Sequence, residues 1–235
     1  MALAPLPGAE RVLAAQTAAL PQPDQLCGPF TAAAALHAVL DDPPGVTELA
    51  LASGTHVWPH DVAAWRPDGA PLDRRGWDVL PTAPSPEASG TDAAALVAGI
   101  GTATAGRVSV LAVPGSADPA PCRTLLADLV RAPYPLAVLA NVRTGGLGVA
   151  WDVGHFVGLW AYDAEADEVG LADTYVELGA EGLPPGARIV GVPALAAALS
   201  APPGRGLLLL TRPDDVVAAS GSVAAAGLST GVWAT

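Results

Sequence analysis

Of the two thiols in the chain of 235 residues, Cys27 is the one placed for chemistry. It opens the run Cys27-Gly28-Pro29-Phe30, which continues as TAAAALHAVL, a stretch of strong helix formers. Proline is tolerated only in the first turn of a helix, so Pro29 puts Cys27 at or just before a helix N-terminus. There the unpaired N–H groups and the helix dipole favour negative charge and lower a thiol's pKa, which makes the thiolate available as a nucleophile. A thiolate that attacks a carbonyl needs an imidazole to pair with and to protonate the leaving group. His155 is the candidate. It starts a β-type run directly after the glycine-containing segment TGGLGVAWDVG, whose backbone can pass close to a substrate. The histidine in turn needs an acceptor on its other ring nitrogen to fix its tautomer, and Asp173, 18 residues further on, can supply it. The oxyanion that forms on attack needs donors. Cys27's own N–H is one, and the side-chain amide of Gln22 or Gln25 is the second, Gln22 being the assigned residue.

The elements that must hold these groups follow from periodicity and turn signals. Residues 9–20 predict a helix ended by Pro21-Gln22-Pro23-Asp24, which leads by a turn into the Cys27 helix. Thr47 is the expected N-cap of a short helix over 47–52. Residues 65–92 are rich in Pro, Gly, Asp and Ser and read as surface loop. Helices are expected from Asp92 to Gly99, over 119–131, and over PALAAALSA. The second half changes character, with β-type runs at 108–113, 135–142, 155–163, 168–173 and 206–211. DAEAD at 163–167 reads as the turn of an antiparallel hairpin, so His155 and Asp173 are expected on adjacent strands, close to opposite one another. Residues 213–235 are rich in small residues and weakly patterned, and read as a partly ordered tail.

Other candidate groups carry less. His56 and His60 have the spacing of a helical metal pair, but Pro59 between them breaks the helix that this spacing requires, so no metal site is expected. His37 lies ten residues beyond Cys27 on the same helix, too far along to reach the thiol. Cys122 falls in an amphipathic pattern and reads as a core residue. Gly99-Ile100-Gly101 lacks the third glycine and the preceding strand of a dinucleotide site, and no cofactor is expected. Trp58, Trp65 and Trp77 are suited either to a core or to a binding cleft.

Composition narrows the partners. The formal net charge is -12, and all 11 basic residues are arginines scattered along the chain. Nucleic-acid binding depends on clustered cations, so no nucleic acid is expected, and the same argument disfavours an anionic membrane surface. The 51% of hydrophobic residues is rich in alanine, and no apolar run approaches the roughly 20 residues of a membrane span. MALAPLPGAERVLAAQ lacks the basic start and long apolar stretch of an export signal, so a cytoplasmic location and reduced thiols are expected. The sequence carries no sign of oligomeric state.

Taken together, Gln22, Cys27-Gly28-Pro29-Phe30 opening an alanine-rich helix, Gly154-His155-Phe156 opening a strand, and Ala172-Asp173-Thr174-Tyr175 resemble papain-like cysteine peptidases. Within that group the pattern is most like phytochelatin synthases and the bacteriocin leader-processing peptidases. The stretch PYPLAVLANVRTGGLGVAWDVGHFVGLWAYDAEADEVGLADTY carries most of the resemblance, which spans about residues 16–176. The resemblance implies an α+β fold in which a helical lobe (about 1–104) with the cysteine at a helix N-terminus packs on a mostly antiparallel sheet lobe (about 105–212). It also implies acyl-enzyme chemistry on an amide or thioester of a peptide-like substrate, ending in hydrolysis or in transfer to an amine or thiol. In these families five residues usually separate the oxyanion glutamine from the cysteine, whereas four separate Gln22 from Cys27, and Pro21 stands at the usual position. The cysteine-rich metal-responsive extension of plant phytochelatin synthases is absent, so metal activation is not carried over. A module that uses the same cleft to bind a peptide or carrier protein without turnover is the alternative reading.

Overall fold

The β-type runs of the second half join one sheet. In the computed structural model, which describes residues 3–233, the strands are β1 Ala4–Pro5, β2 Ser109–Pro114, β3 Leu136–Arg143, β4 Gly154–Asp163, β5 Glu168–Ala172, β6 Ala187–Gly191 and β7 Gly206–Thr211. Their order is β2-β7-β3-β4-β5-β6, with β1 also on β4, and each of these pairings is antiparallel. The helices are α1 Ala9–Ala19, α2 Cys27–Leu36, α3 Val46–Ala52, α4 Ala93–Ala103, α5 Pro119–Leu129, α6 Val192–Leu199 and α7 Val216–Ala225. The architecture is α+β with an antiparallel sheet.

The central strands β3 and β7 read LAVLANVR and GLLLLT and are buried almost throughout. An antiparallel sheet with one wet face would alternate; continuous apolar runs mean that both faces are covered. Alternate side chains do go to two separate cores. Leu136, Val138, Ala140, Leu207 and Leu209 pack with Leu125 and Leu129 of α5, Leu195 of α6 and Val223 of α7. Ala137, Leu139, Leu208 and Leu210 pack with Ala32 and Leu36 of α2 and Leu96 and Ile100 of α4. The sheet therefore lies between two helical layers, rather than forming a lobe beside one.

Helix α2 is the element on which the chemistry depends. Eight of its ten residues are buried, and its alanines let it lie close against β3 and β4. Burying Phe30 and Leu36, both at or below 1% exposed, contributes roughly 1.5–3 kcal/mol each and anchors the helix along its length. Its N-terminal turn is tied to β4 at one residue. The Thr31 hydroxyl donates to the Phe156 carbonyl at 3.1 Å, and Gly28 lies so close that a Cβ there would sit 3.3 Å from the Phe156 ring.

Several sequence expectations are refined. The short helix α3 starts at Val46, with Gly45 rather than Thr47 as its N-cap, because Thr47 already lies inside the first helical turn. Asp92 caps α4 as expected, accepting from the Ala95 N–H at 2.7 Å. The hairpin turn at 163–167 is built on Asp163, whose Oδ1 accepts from the Glu165 and Ala166 N–H groups at 2.9 and 3.1 Å. Residues 53–92 are mostly loop, with three short 3-10 turns at 63–65, 77–79 and 86–88, and the segment rests on a small core of Leu26, Ala50, Val57 and Leu80. The segment 213–233 is not a loose tail. It carries α7, and Trp233 is buried against the sheet over Gly206, where a Cβ would meet its ring at 2.5 Å. Among the described residues, no helix is long and apolar enough to cross a membrane.

Candidate active site

Because β4 and β5 are antiparallel, the start of one and the end of the other lie at the same end of the sheet. His155 is the second residue of β4 and Asp173 follows the last residue of β5. The strands pair Asp163 with Glu168 at the turn, but a bulge at Trp160 shifts the register so that Gly158 pairs with Ala172. The register at the turn would put Asp173 level with Gly158, on the other face; the bulge brings it level with Val157, one same-face position from His155. The offset is small enough for contact. His155 Nε2–H donates to Asp173 Oδ1 at 3.1 Å, with the Thr174 hydroxyl 3.2 Å from the same nitrogen.

With Nε2 taken, Nδ1 is the nitrogen left for Cys27, and the imidazole and the thiol are in hydrogen-bonding contact. The sulfur is half-buried in the wall of a cleft of about 1160 Å³. Burial alone would push the Cys27 thiol up, but the His155 hydrogen bond and charge, with the Phe156 and Gly28 N–H groups, bring it below the ordinary value of 9.0. Two of those donors come from α2's first turn and from the strand residue to which α2 is tied, so the packing of the helix is also what solvates the thiolate. Burial alone would likewise lower His155, but the Asp173 charge and hydrogen bond, reinforced by Cys27, raise it from 6.5 to about 10. Above the lowered Cys27 value and below the raised His155 value, the pair is poised as thiolate and imidazolium.

Asp173 is fully buried and saturated with donors. Oδ1 also accepts from the Tyr175 N–H at 3.2 Å, and Oδ2 accepts from Arg188 at 3.2 Å. Arg188 is itself buried, so the pair is the kind whose breakage strands a charge. The loop after β5 is pinned too. Gln16 of α1 donates its side-chain amide to the Asp173 carbonyl at 2.7 Å, and Gly186, at φ +75, comes so near this carbonyl that no Cβ would fit. Around the imidazole stand Trp151, edge-on at 5.1 Å between centroids, and Tyr175, stacked at 5.8 Å. His155 is 2% exposed, which keeps water off the His155–Asp173 bond and strengthens it.

A family model described as a family of unknown function (DUF6885) matches residues 6–150 and 147–234. The chain belongs to the DUF6885 family. No curated protein matches it.

The cleft of this DUF6885 chain holds the sequence-derived residues in different ways. Cys27, His155 and Asp173 are brought together. Gln22 is buried in the cleft wall, its Nε2 donating to the Tyr175 hydroxyl at 3.0 Å while its Oε1 is buried without a partner. Gln25 is not free to face solvent or an oxyanion. At φ 66 it clasps Trp58 at both ends of its amide, accepting from the Trp58 N–H at 2.7 Å and donating to the Trp58 carbonyl at 2.9 Å. His56 and His60 line the cleft, as do Trp65 and Trp77, and His60 packs edge-on against Trp58. Cys122 is buried and its thiol is pushed up to about 12 by desolvation, so it is the unreactive one of the two. The reading of the sequence assigns no individual role to Arg188, Tyr175, Trp151, Asn141 or Arg205. For the two arginines a signal did exist. Each stands in an apolar run, ARIVG and GRGLLLL, where a charge must find a use.

Proposed function

We propose that this chain is a papain-like cysteine enzyme that forms an acyl-enzyme on Cys27 from an amide or thioester of a peptide-like substrate. The observation that carries the reading is the chain of contacts from the Cys27 thiol through His155 to the buried Asp173, opening on the cleft. The thiolate attacks the carbonyl carbon, and the carbonyl electrons go to oxygen. As the tetrahedral intermediate collapses, the bond to the leaving amine or thiol breaks and His155 delivers its Nδ1 proton to it. A second nucleophile then enters, gives its proton to His155, and releases the acyl group from sulfur. Water makes the reaction a hydrolysis; an amine or thiol acceptor makes it a transfer.

The oxyanion is assigned to the Cys27 N–H and Gln22. Turned over about its last bond, the Gln22 amide accepts from the Tyr175 hydroxyl through Oε1, and Nε2 takes the place of the atom that is now buried without a partner. Loss of one such donor typically costs about 100-fold or more in kcat.

The test is the rate of Cys27 alkylation by iodoacetamide against pH, with Cys122→Ala in the background to leave a single thiol. The expected profile stays high well below pH 9.0, the ordinary thiol value, and in His155→Ala it retreats to that of a buried thiol. A profile that climbs only near the ordinary value and is the same in both proteins would overturn the enzyme reading and favour a binding module. Turnover, which also needs the imidazolium proton, is expected to fall away on the alkaline side as His155 titrates at about 10.

A further inference from the structure

Arg205 stands apart from the other arginines. Among the described residues, four further arginines are buried or half-buried, and each has a carboxylate: Arg66 has Asp24 and Asp61, Arg123 has Asp167, Arg143 has Asp152, and Arg188 has Asp173. Arg205 is half-buried and has none. Its backbone is fixed just before β7, where its carbonyl accepts from the Gly115 N–H at 2.8 Å. It lines the same cleft as Cys27 and feels the charge of that thiolate. Nη1 donates to the Asn141 Oδ1 at 2.6 Å, and Nε is buried with no partner. The guanidinium lies against Gly154, the residue before His155, where a Cβ would come within 3.0 Å of Nη2 and 3.1 Å of Nη1.

The charges that act on it are repulsion from Arg143 and attraction from Cys27 and Asp152. Neither anion is free to serve it. Both oxygens of Asp152 are taken by Arg143, at 2.7 and 3.1 Å, and the thiolate is shared with His155. A guanidinium presents five N–H donors in a planar fork that matches a carboxylate, and Asn141 uses one of them. A partly desolvated cation without a counter-ion is costly to maintain, and that cost is offset when an anion arrives with the ligand. The formal net charge of -12 makes the point sharper. The surface as a whole repels anions, so one that is accepted here must be held by contact and not by the long-range field.

We propose that Arg205 is the carboxylate anchor of the cleft, and that the substrate carries a free carboxylate within about one residue of the carbonyl that Cys27 attacks. The inference rests on Cys27 being the nucleophile and names the substrate class of that same site.

The experiment compares two alkylating agents that differ only in charge. Iodoacetate and iodoacetamide, and for longer reach 3-bromopropionate and 3-bromopropionamide, are reacted with Cys27 in the Cys122→Ala background at about pH 8.5, where even an unactivated thiol reacts. The carboxylate-to-amide rate ratio cancels any change in the thiolate fraction. Arg205→Gln is expected to lower that ratio at least about tenfold for one or both pairs. Arg205→Lys, which keeps the charge and loses the fork, is expected to fall between, and carries the test alone if the glutamine variant does not fold. The difference is expected to persist in about 0.5 M salt, where screening removes steering from beyond a few ångströms. A ratio unchanged by both substitutions, or a difference abolished by salt, overturns the assignment. The iodoacetamide pH profile reports on Cys27 separately, so failure of the nucleophile and failure of the anchor give different results.

Discussion

Asp173→Asn is expected to slow alkylation of Cys27 near pH 6 by about 100-fold, because each unit by which a thiol's pKa rises removes about tenfold of its thiolate. Asp173 is what holds His155 at about 10 against a burial that works the other way. Without the carboxylate, burial dominates, the imidazole is neutral near neutral pH, and Cys27 loses the cation that outweighs its own desolvation. The substitution also strands Arg188, which is buried and draws its one ion pair from Asp173 Oδ2. Removing one partner of such a pair costs about 3–5 kcal/mol, so the single variant is expected to be much less stable as well as unreactive. The two effects separate in the double variant Asp173→Asn/Arg188→Met. It is expected to recover most of the lost stability in urea unfolding and none of the reactivity at pH 6. Recovery of both would mean that Asp173 acts only through the fold.

Stability should follow pH in a way that reports on the same pair. His155 is raised in the folded state, so its contribution is fully present below the ordinary value of 6.5 and is lost as pH rises through about 10. Cys27 is lowered, so its contribution is present above 9.0 and is lost as pH falls through its folded value. In Asp173→Asn the decline between 6.5 and 10 is expected to flatten, since the native imidazole no longer holds its proton through that range.

The three central residues were legible because each is marked locally. Pro29 can only occupy a first helical turn, which sets Cys27 at the helix start, and the Asp163 turn signal centres the hairpin that brings His155 to Asp173. The residues that surround them were not, because their roles depend on distant pairings. Arg188 reaches Asp173 only because β6 pairs with β5, and β6 is a five-residue run with an arginine in it, next to a proline- and glycine-rich turn. Arg205 meets Asn141 because β7 inserts between β2 and β3, an order that no local pattern reports. The bulge at Trp160 escaped for the same reason. It is held by an indole N–H donated across to the Leu171 carbonyl at 3.2 Å, a bond between strands. Residues 216–225 read as featureless because VVAASGSVAA has little amphipathic contrast. Its place is set by packing of Ala219 and Val223 and by the later Trp233.

Gly99→Ala is where local propensity and packing make opposite predictions. Gly99 lies inside α4, and alanine in a helix interior is favoured over glycine by about 1 kcal/mol, so propensity alone predicts a more stable protein. The packing of α4 against the end of α3 predicts the reverse. A Cβ at Gly99 would sit 2.0 Å from the Ser53 Oγ and 2.7 Å from the Ser53 Cα and N. The hydroxyl can rotate away, but the backbone atoms cannot, so the two helices must separate. Overpacking of this kind costs about 1–3 kcal/mol, and more where backbone has to move, so a net loss of about 3 kcal/mol is expected in urea unfolding. Gly99→Ala/Ser53→Gly removes the hydroxyl but leaves the backbone contact, and is expected to recover only part of the loss. The consequence extends to the chemistry, because Ser53 lines the same cleft as Cys27 and α4 packs against α2 through Leu96. Displacing α4 should loosen the helix whose first turn solvates the thiolate. A Gly99→Ala protein that is more stable than wild type would mean that α3 and α4 are less closely packed than their contact at Ser53 requires.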